Sequence, residues 1–340
     1  MIKLNLLRVR TGALWLGFWA VLGLAAKLPR VGFGAAVADL YQAAVPVTDH
    51  SENGMSAAFQ SALKIVLIRV TGRRSAAQDP ALGPLIGNAR RYMQQYRAGA
   101  GNQVWVSFDG VALERWLSQN GQPLWGKDRP ATLAWVGVPN GKGSGGIMTR
   151  EDASEFKRTL DLAASVRGIV LIWPGAADVQ RSGVTFSSIA QGPASSFIEP
   201  SKRLGADGVL IGRMADGGAG VRWTFLYQGR SSEFSGTAEG VDRAADAYAS
   251  LFAASGESAS VGIDVTGVGD LQTYAVIQNY LESLTLISHV DVAGFDNATM
   301  RLRVVARGGS EAVQRAVSQD SRLESSGGAE AGILRFHVRR

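Results

Sequence analysis

Two short apolar runs decide how the middle of this chain folds. Residues 131–138 read Ala131-Thr132-Leu133-Ala134-Trp135-Val136-Gly137-Val138, and residues 206–213 read Ala206-Asp207-Gly208-Val209-Leu210-Ile211-Gly212-Arg213. Residues 131–138 and, within the second run, residues 208–213 are strands bounded by turn residues. Between them, Thr149 opens a helix with capping-box spacing to Asp152 that runs to about Val166. A fully apolar strand follows at residues 168–173 (GIVLIW). A loop with short turns reaches Ser196, and a helix then runs to Leu204. Beyond the second run lie strands at 221–227 and 232–236 and an amphipathic helix at 241–253. The pattern is an α/β block on a mixed sheet, with residues 131–138 shared with the block before it.

Upstream, a β-like run at 40–47 is stopped by Pro46 and Asp49. A long helix over 51–71 carries Met55, Ala58, Phe59, Ala62, Leu63, Val66, Leu67 and Val70 at three and four spacing and ends at Gly72. A short helix is expected over 80–89, strands near 92–97 and at 103–108, a helix over 110–119, and the shared strand. The order is βαββαβ, a ferredoxin-like unit. The last 80 residues repeat it: strand 259–265, a helix capped by Asp270, strands 286–292 and 299–305, helix 311–317 and strand 333–338. The fold expected is therefore α/β (α+β), two ferredoxin-like units flanking a central mixed-sheet block. The divisions are a leader at 1–38, blocks at 39–138 and 139–257, and a C-terminal block at 258–340.

The chain has 340 residues and a formal charge of +6. Residues 1–38 hold Lys3, Arg8, Arg10, Lys27 and Arg30 and no acid, so most of the charge belongs to the leader. Nucleic-acid binding is not expected from it. The uncharged stretch Thr11–Ala26 and the small-residue site Ala36-Val37-Ala38 read as a secretory signal, with a mature chain starting at Asp39. The competing reading is an uncleaved N-terminal anchor, the only membrane contact expected. Either way the body lies outside the cytoplasm, in the periplasm of a Gram-negative host. There is no cysteine. Disulfides, zinc ribbons, iron–sulfur clusters and thiol catalysis are thereby excluded, as is a lipoprotein anchor.

Three stretches carry a family resemblance: Leu40-Tyr41-x3-Val45-Pro46-Val47, then Ala62-Leu63-x2-Val66-Leu67-x-Arg69-Val70-Thr71-Gly72-Arg73, and Ala206-Asp207-x-Val209-Leu210-x-Gly212-Arg213 followed by Trp223. With these the chain resembles the bacterial envelope proteins filed as domain of unknown function 2066. The resemblance implies an envelope location and an α/β fold and assigns no catalytic residue. A looser similarity is to the small α/β domains of TolB-type amino-terminal regions, curli-secretion-channel proteins and penicillin-binding-protein activators, which implies noncatalytic binding of other envelope components.

No catalytic, cofactor or metal site is expected. The glycine-rich stretch Asn140–Gly146 has the wrong spacing for a phosphate loop. Asp49-His50-Ser51 are chain neighbours and cannot form a His-bridged triad, so Ser51 caps the following helix. His50, His289 and His337 are scattered. Asp207 closes a turn onto its own backbone. The candidate partner-binding residues are the basic cluster Arg69, Arg73, Arg74, Arg90 and Arg91, which would steer an anionic surface, and Trp116 and Trp125, which flank a polar stretch and would border a groove. The function expected is an exported, noncatalytic protein-interaction scaffold for an unidentified envelope partner. The alternative is a small-ligand or glycan-binding protein using a cleft near residues 139–150, and a hydrolase is disfavoured.

Overall fold

The computed structural model describes residues 35–36, 40–141, 144–215, 220–284, 286–318, 322–327 and 332–339. The charged n-region, the apolar leader and the Val37–Asp39 junction lie outside the described residues. So do Lys142 and Gly143 of the glycine-rich stretch. Within the described residues the chain is a mixed α/β protein built on three main sheets.

The first block holds β1 (Ala35–Ala36), β2 (Gln42–Pro46), α1 (Glu52–Thr71), α2 (Gly83–Gly87), α3 (Ala89–Tyr92), β3 (Met93–Ala98), β4 (Gln103–Phe108), α4 (Gly110–Gln119) and β5 (Asp128–Arg129). Ser51 caps α1, its Oγ accepting from the Gly54 amide at 3.1 Å. Gly72 ends α1 at φ +72°, a left-handed conformation that a side chain disfavours. A Cβ there would also stand 2.5 Å from the Ala249 methyl. The expected helix over 80–89 is instead a 3-10 turn followed by α2 and α3. The sheet is β2-β4-β3, antiparallel throughout.

The strand expected to complete this block, β6 (Ala131–Pro139), hydrogen-bonds only in the central sheet. Its first seven residues are all buried. A strand apolar on both faces needs cover on both, which only a two-faced sheet provides.

After β6 the central block continues through β7 (Gly145–Ile147), α5 (Glu155–Arg167), β8 (Val170–Ile172), α6 (Ala176–Ser182), α7 (Phe186–Gln191), α8 (Ile198–Arg203), β9 (Gly208–Met214), β10 (Val221–Tyr227), β11 (Arg230–Ser235) and α9 (Glu239–Phe252). The sheet order is β11-β10-β9-β6-β7, and β8 pairs with β6 as well. Strands β8 and β9 run parallel to β6 on its two sides; β7, β10 and β11 continue the sheet antiparallel. Helix α5 starts later than the spacing around Thr149 predicts, because the preceding residues extend the sheet: the Met148 amide donates to Val136 O at 2.9 Å. The working cap is Ser154, whose Oγ accepts from the Lys157 amide at 3.3 Å.

Alternation sorts the central side chains into two cores. Ala134, Val136, Leu210, Trp223 and Phe225 pack with α5 and α9. Leu133, Trp135, Val209 and Ile211 pack with residues of the α6–α8 segment, including Ile189 and Phe197. The chain thus crosses from β6 to β8 over one face through α5, and from β8 to β9 over the other face through α6–α8.

The third block contains β12 (Ser258–Thr266), α10 (Leu271–Ser283), β13 (Ile287–Asp296), β14 (Thr299–Arg307), α11 (Gly309–Ser318), β15 (Leu323–Ser325) and β16 (Ile333–Val338). Its sheet order is β13-β14-β12-β16-β15, with β12 and β16 parallel and the other pairs antiparallel. Asp270 caps α10 by accepting from the Thr273 amide at 2.7 Å. The short edge strand β15 was not foreseen; three residues are too few to show a period.

Buried arginines join the first two blocks. Arg129 is fully buried, and its guanidinium donates to Gly126 O, Gly168 O, Arg69 O and Trp125 O at 2.6–3.0 Å, with Arg167 O at 3.4 Å. Three of these carbonyls belong to the last turns or the caps of α1 and α5, the negative ends of two helix dipoles. Its guanidinium also stacks 3.9 Å over the Trp125 ring. Burial lowers the Arg129 pKa to about 9, which leaves it charged at neutral pH. Arg167, equally buried, reaches Asp242 at 2.9 Å, Asp246 at 2.6 Å and the Gly72 carbonyl at 3.0 Å.

Candidate functional site: a cleft at the carboxyl ends of β6 and β9

The basic and aromatic residues that sequence singles out do not assemble into one surface. Arg69 is buried, its Nε donating to Ser165 O at 2.6 Å and its Nη1 to Gln42 O, so it is part of the joint. Arg73 reaches Asp79 at 3.0 Å and also bonds Gln122. Arg74 pairs with Asp242 on α9. Arg90 lies 3.7 Å from Glu52, at the opposite end of α1. A helix of 20 residues is about 30 Å long. Arg90 is therefore far from Arg69, Arg73 and Arg74, and the exposed Arg91 adjoins it in the chain. Trp116 is half-buried against the first core. Trp125 is fully buried in the central core beneath Arg129 and borders no groove.

Asp207 also differs from expectation. Its Oδ2 accepts from the Ala131 amide at 2.8 Å, and its own amide donates to Ala131 O at 2.8 Å, so it extends the β6–β9 ladder rather than closing on itself. Burial raises its pKa above the usual carboxylate value, against the lowering effect of that amide. His289 contacts Asp291 at 2.9 Å on an exposed strand, and His337 contacts Thr266. Among the described residues no three His, Asp or Glu side chains gather as a metal site would require. The described part of the glycine-rich stretch is the β6–β7 hairpin, held by Asn140 N donating to Ser144 O. No helix among the described residues is long and apolar enough to cross a membrane.

The structure does bring together four residues that sequence left apart. Gly137, Arg213, Arg222 and Ser235 stand directly opposite one another on β6, β9, β10 and β11, in one cross-strand row. Neighbouring strands are about 4.8 Å apart, so the row spans roughly 15 Å. It floors a cavity of about 580 Å³ whose wall includes Phe186 and Ile189 of α7, Met214 and Val221. Gly137 is what lets α7 lie on the sheet: a Cβ there would sit 3.0 Å from Ile189 Cγ2 and 3.4 Å from the Phe186 ring.

The location follows from topology. From β6 the chain turns away toward β7 and β8, and from β9 it turns the other way, toward β10. Where adjacent parallel strands send their connections in opposite directions, a crevice opens at their carboxyl ends, and ligands of open α/β sheets bind there. Arg213 is held in place, Nη1 donating to Thr224 Oγ1 at 2.8 Å and Nη2 to Gly192 O at 3.3 Å. Burial lowers its pKa, Glu233 opposes that shift and Arg222 adds to it. Arg222 is exposed and has no partner among the described residues. Nothing in the local sequence marks it; only the register of β10 against β9 sets it beside Arg213.

A family model described as a domain of unknown function, DUF8605, matches residues 35–126. The match ends before β5, so it covers most of the first block and neither the central sheet nor the cleft. It overturns the resemblance to domain of unknown function 2066, whose first two motifs lie inside the matched stretch. No curated protein and no solved structure matches the chain.

Proposed function

We propose that this protein is an exported, noncatalytic binding module of the cell envelope that takes a small ligand in the cleft at the carboxyl ends of β6 and β9. The first and third blocks act as the scaffold that presents the central block to envelope partners. The observation that carries the reading is the row Gly137–Arg213–Arg222–Ser235 under a cavity of about 580 Å³, a size in the range of small-molecule sites. The lining supplies donors and apolar side chains; among the described residues it holds neither a carboxylate nor an imidazole to accept a proton from a substrate. Export rests on the leader alone.

One finer fold assignment belongs to the same proposal: the first block is a ferredoxin-like unit without its last strand, as its antiparallel order β2-β4-β3 supports. The third block has that unit's strand order, β13-β14-β12-β16, but β16 runs parallel to β12, where the ferredoxin-like sheet is antiparallel throughout.

The test is fractionation of a Gram-negative host expressing the full chain, followed by a ligand screen on the purified protein. The expected outcome is protein outside the cytoplasm and a Tm that rises with the logarithm of ligand concentration. Protein confined to the cytosol overturns the export part. A saturable turnover abolished by one polar substitution overturns the noncatalytic part.

A further inference from the structure

We propose that the ligand of the cleft is an organic monocarboxylate with an apolar body, its carboxylate seated between Arg213 and Arg222. The inference rests on the cleft being a binding site and names what it binds. The first argument is the charge. Two arginines stand directly opposite each other on adjacent strands, near enough that the charge of Arg222 bears on Arg213, and like charges so placed repel. Glu233, opposite Thr224 and two register positions from the row on the same face, supplies one negative charge nearby. Arg222 spends its donors on no protein group among the described residues, so the pair has donors left for an anion from outside. A guanidinium presents paired N–H donors that match the two oxygens of a carboxylate.

The second argument is positioning. Arg213 is tied to Thr224 and to the Gly192 carbonyl before any ligand arrives. Its head group is thereby ordered in advance, which lowers the entropic cost of binding. Arg222 is free to close on the anion from the solvent side.

The third argument is the remainder of the cavity. Beside the arginine pair the lining includes the apolar side chains of Phe186, Ile189 and Ala190 on the same face of the sheet. A bare inorganic ion fills little of about 580 Å³ and leaves those side chains wet. A ligand with a hydrocarbon or aromatic body attached to the carboxylate uses both parts of the site. A carboxylate of this kind can come from a free organic acid or from a peptide carboxyl terminus with an apolar last side chain.

The experiment is calorimetric titration of the full chain with 3-phenylpropionate, with its uncharged amide 3-phenylpropionamide, with inorganic phosphate and with N-acetyl-phenylalanine as the peptide-terminus probe. Methyl spectra of Ile189, Met214 and Val221 locate the binding. The carboxylates should bind saturably, shift those methyls, and bind about tenfold or more tighter than the amide, the ratio expected for a charge-assisted hydrogen bond. Arg222→Gln should remove that margin while leaving Tm within about a degree. A second variant, Ala190→Trp, fills the cavity from the exposed side of α7 and should weaken all organic probes. Stronger binding of N-acetyl-phenylalanine assigns the peptide terminus as the source, and stronger binding of 3-phenylpropionate the free acid. Equal binding of carboxylate and amide in the cleft keeps the cleft and overturns the carboxylate. Phosphate bound as tightly as the organic acids, and lost in Arg222→Gln, overturns the apolar body. Absence of binding by all four probes overturns both this inference and the cleft reading.

Discussion

Arginine does two different jobs in this molecule, and the contrast between the joint and the cleft separates them. At the joint, Arg129 and Arg167 are buried and their heads are enclosed by carbonyls and carboxylates of the protein itself. In the cleft, Arg213 is half held, and Arg222 has no partner among the described residues. A buried cation must be compensated internally or the fold does not form. An open cation left beside another cation is a place where compensation can come from outside. Composition does not distinguish the two cases, since both residue sets read simply as arginines in a nearly neutral body.

The comparison breaks most sharply at Arg129. Arg129→Met keeps the bulk over Trp125 but leaves the end carbonyls of α1 and α5 without their donor. The expected loss is about 3–5 kcal/mol of stability, read as a lower midpoint in urea. A loss below about 1 kcal/mol would mean that water replaces the guanidinium and that the joint is not built on it.

On the cleft side the largest structural effect belongs to Gly137. Gly137→Val pushes a branched side chain against Ile189 and Phe186. The expected cost is about 1–3 kcal/mol, typical of overpacking, with ligand binding lost as α7 moves. If stability and binding both survive, α7 is less tightly seated on β6 than the contact distances imply.

How far these sites could be read in advance depends on how local their causes are. Helix α1 was legible because its cap Ser51, its apolar spacing and its stop Gly72 are all written within one stretch. Strand β10 and helices α4 and α10 were legible for the same reason. The partner sheet of β6 was not, because an unbroken apolar run states that both faces are buried and not which sheet buries them. The start of α5 was misplaced because Thr149 and Ser154 both offer caps, and the hydrogen bond from Met148 to Val136 decides between them. The basic cluster dissolved because helix geometry carries Arg69 inward and sets Arg90 at the far end of α1. The arginine row depends on strand register, a long-range quantity that no window of sequence contains.

Away from the cleft, at the opening of β9, Asp207 is a half-buried carboxylate with a pKa raised chiefly by desolvation. A raised carboxylate pKa means that the folded state holds its proton more tightly than the unfolded chain does. Asp207 therefore lowers stability as pH rises from the ordinary carboxylate value through its own raised value, and the penalty persists at neutral pH. Asp207→Asn keeps an oxygen for the Ala131 amide and removes the charge. It should stabilise the protein at pH 7 by about 0.5–1 kcal/mol, and the gain should shrink as pH falls below the ordinary carboxylate range. A gain that is constant with pH would point to a contact change rather than to the charge.

The smallest effect is expected at Arg222, and its smallness is the point. An exposed side chain with no partner among the described residues contributes little to stability, so Arg222→Gln should change the unfolding free energy by no more than about 0.5 kcal/mol. Relief of the repulsion with Arg213 can even make the change favourable. In the joint, by contrast, loss of Arg129 is expected to cost several kcal/mol, about 3–5. If Arg222→Gln proves as damaging as Arg129→Met, then Arg222 is a structural cation like the others and the contrast between joint and cleft collapses. If it is neutral for stability and costly for binding of an organic carboxylate, the positive charge at that position serves something outside the chain.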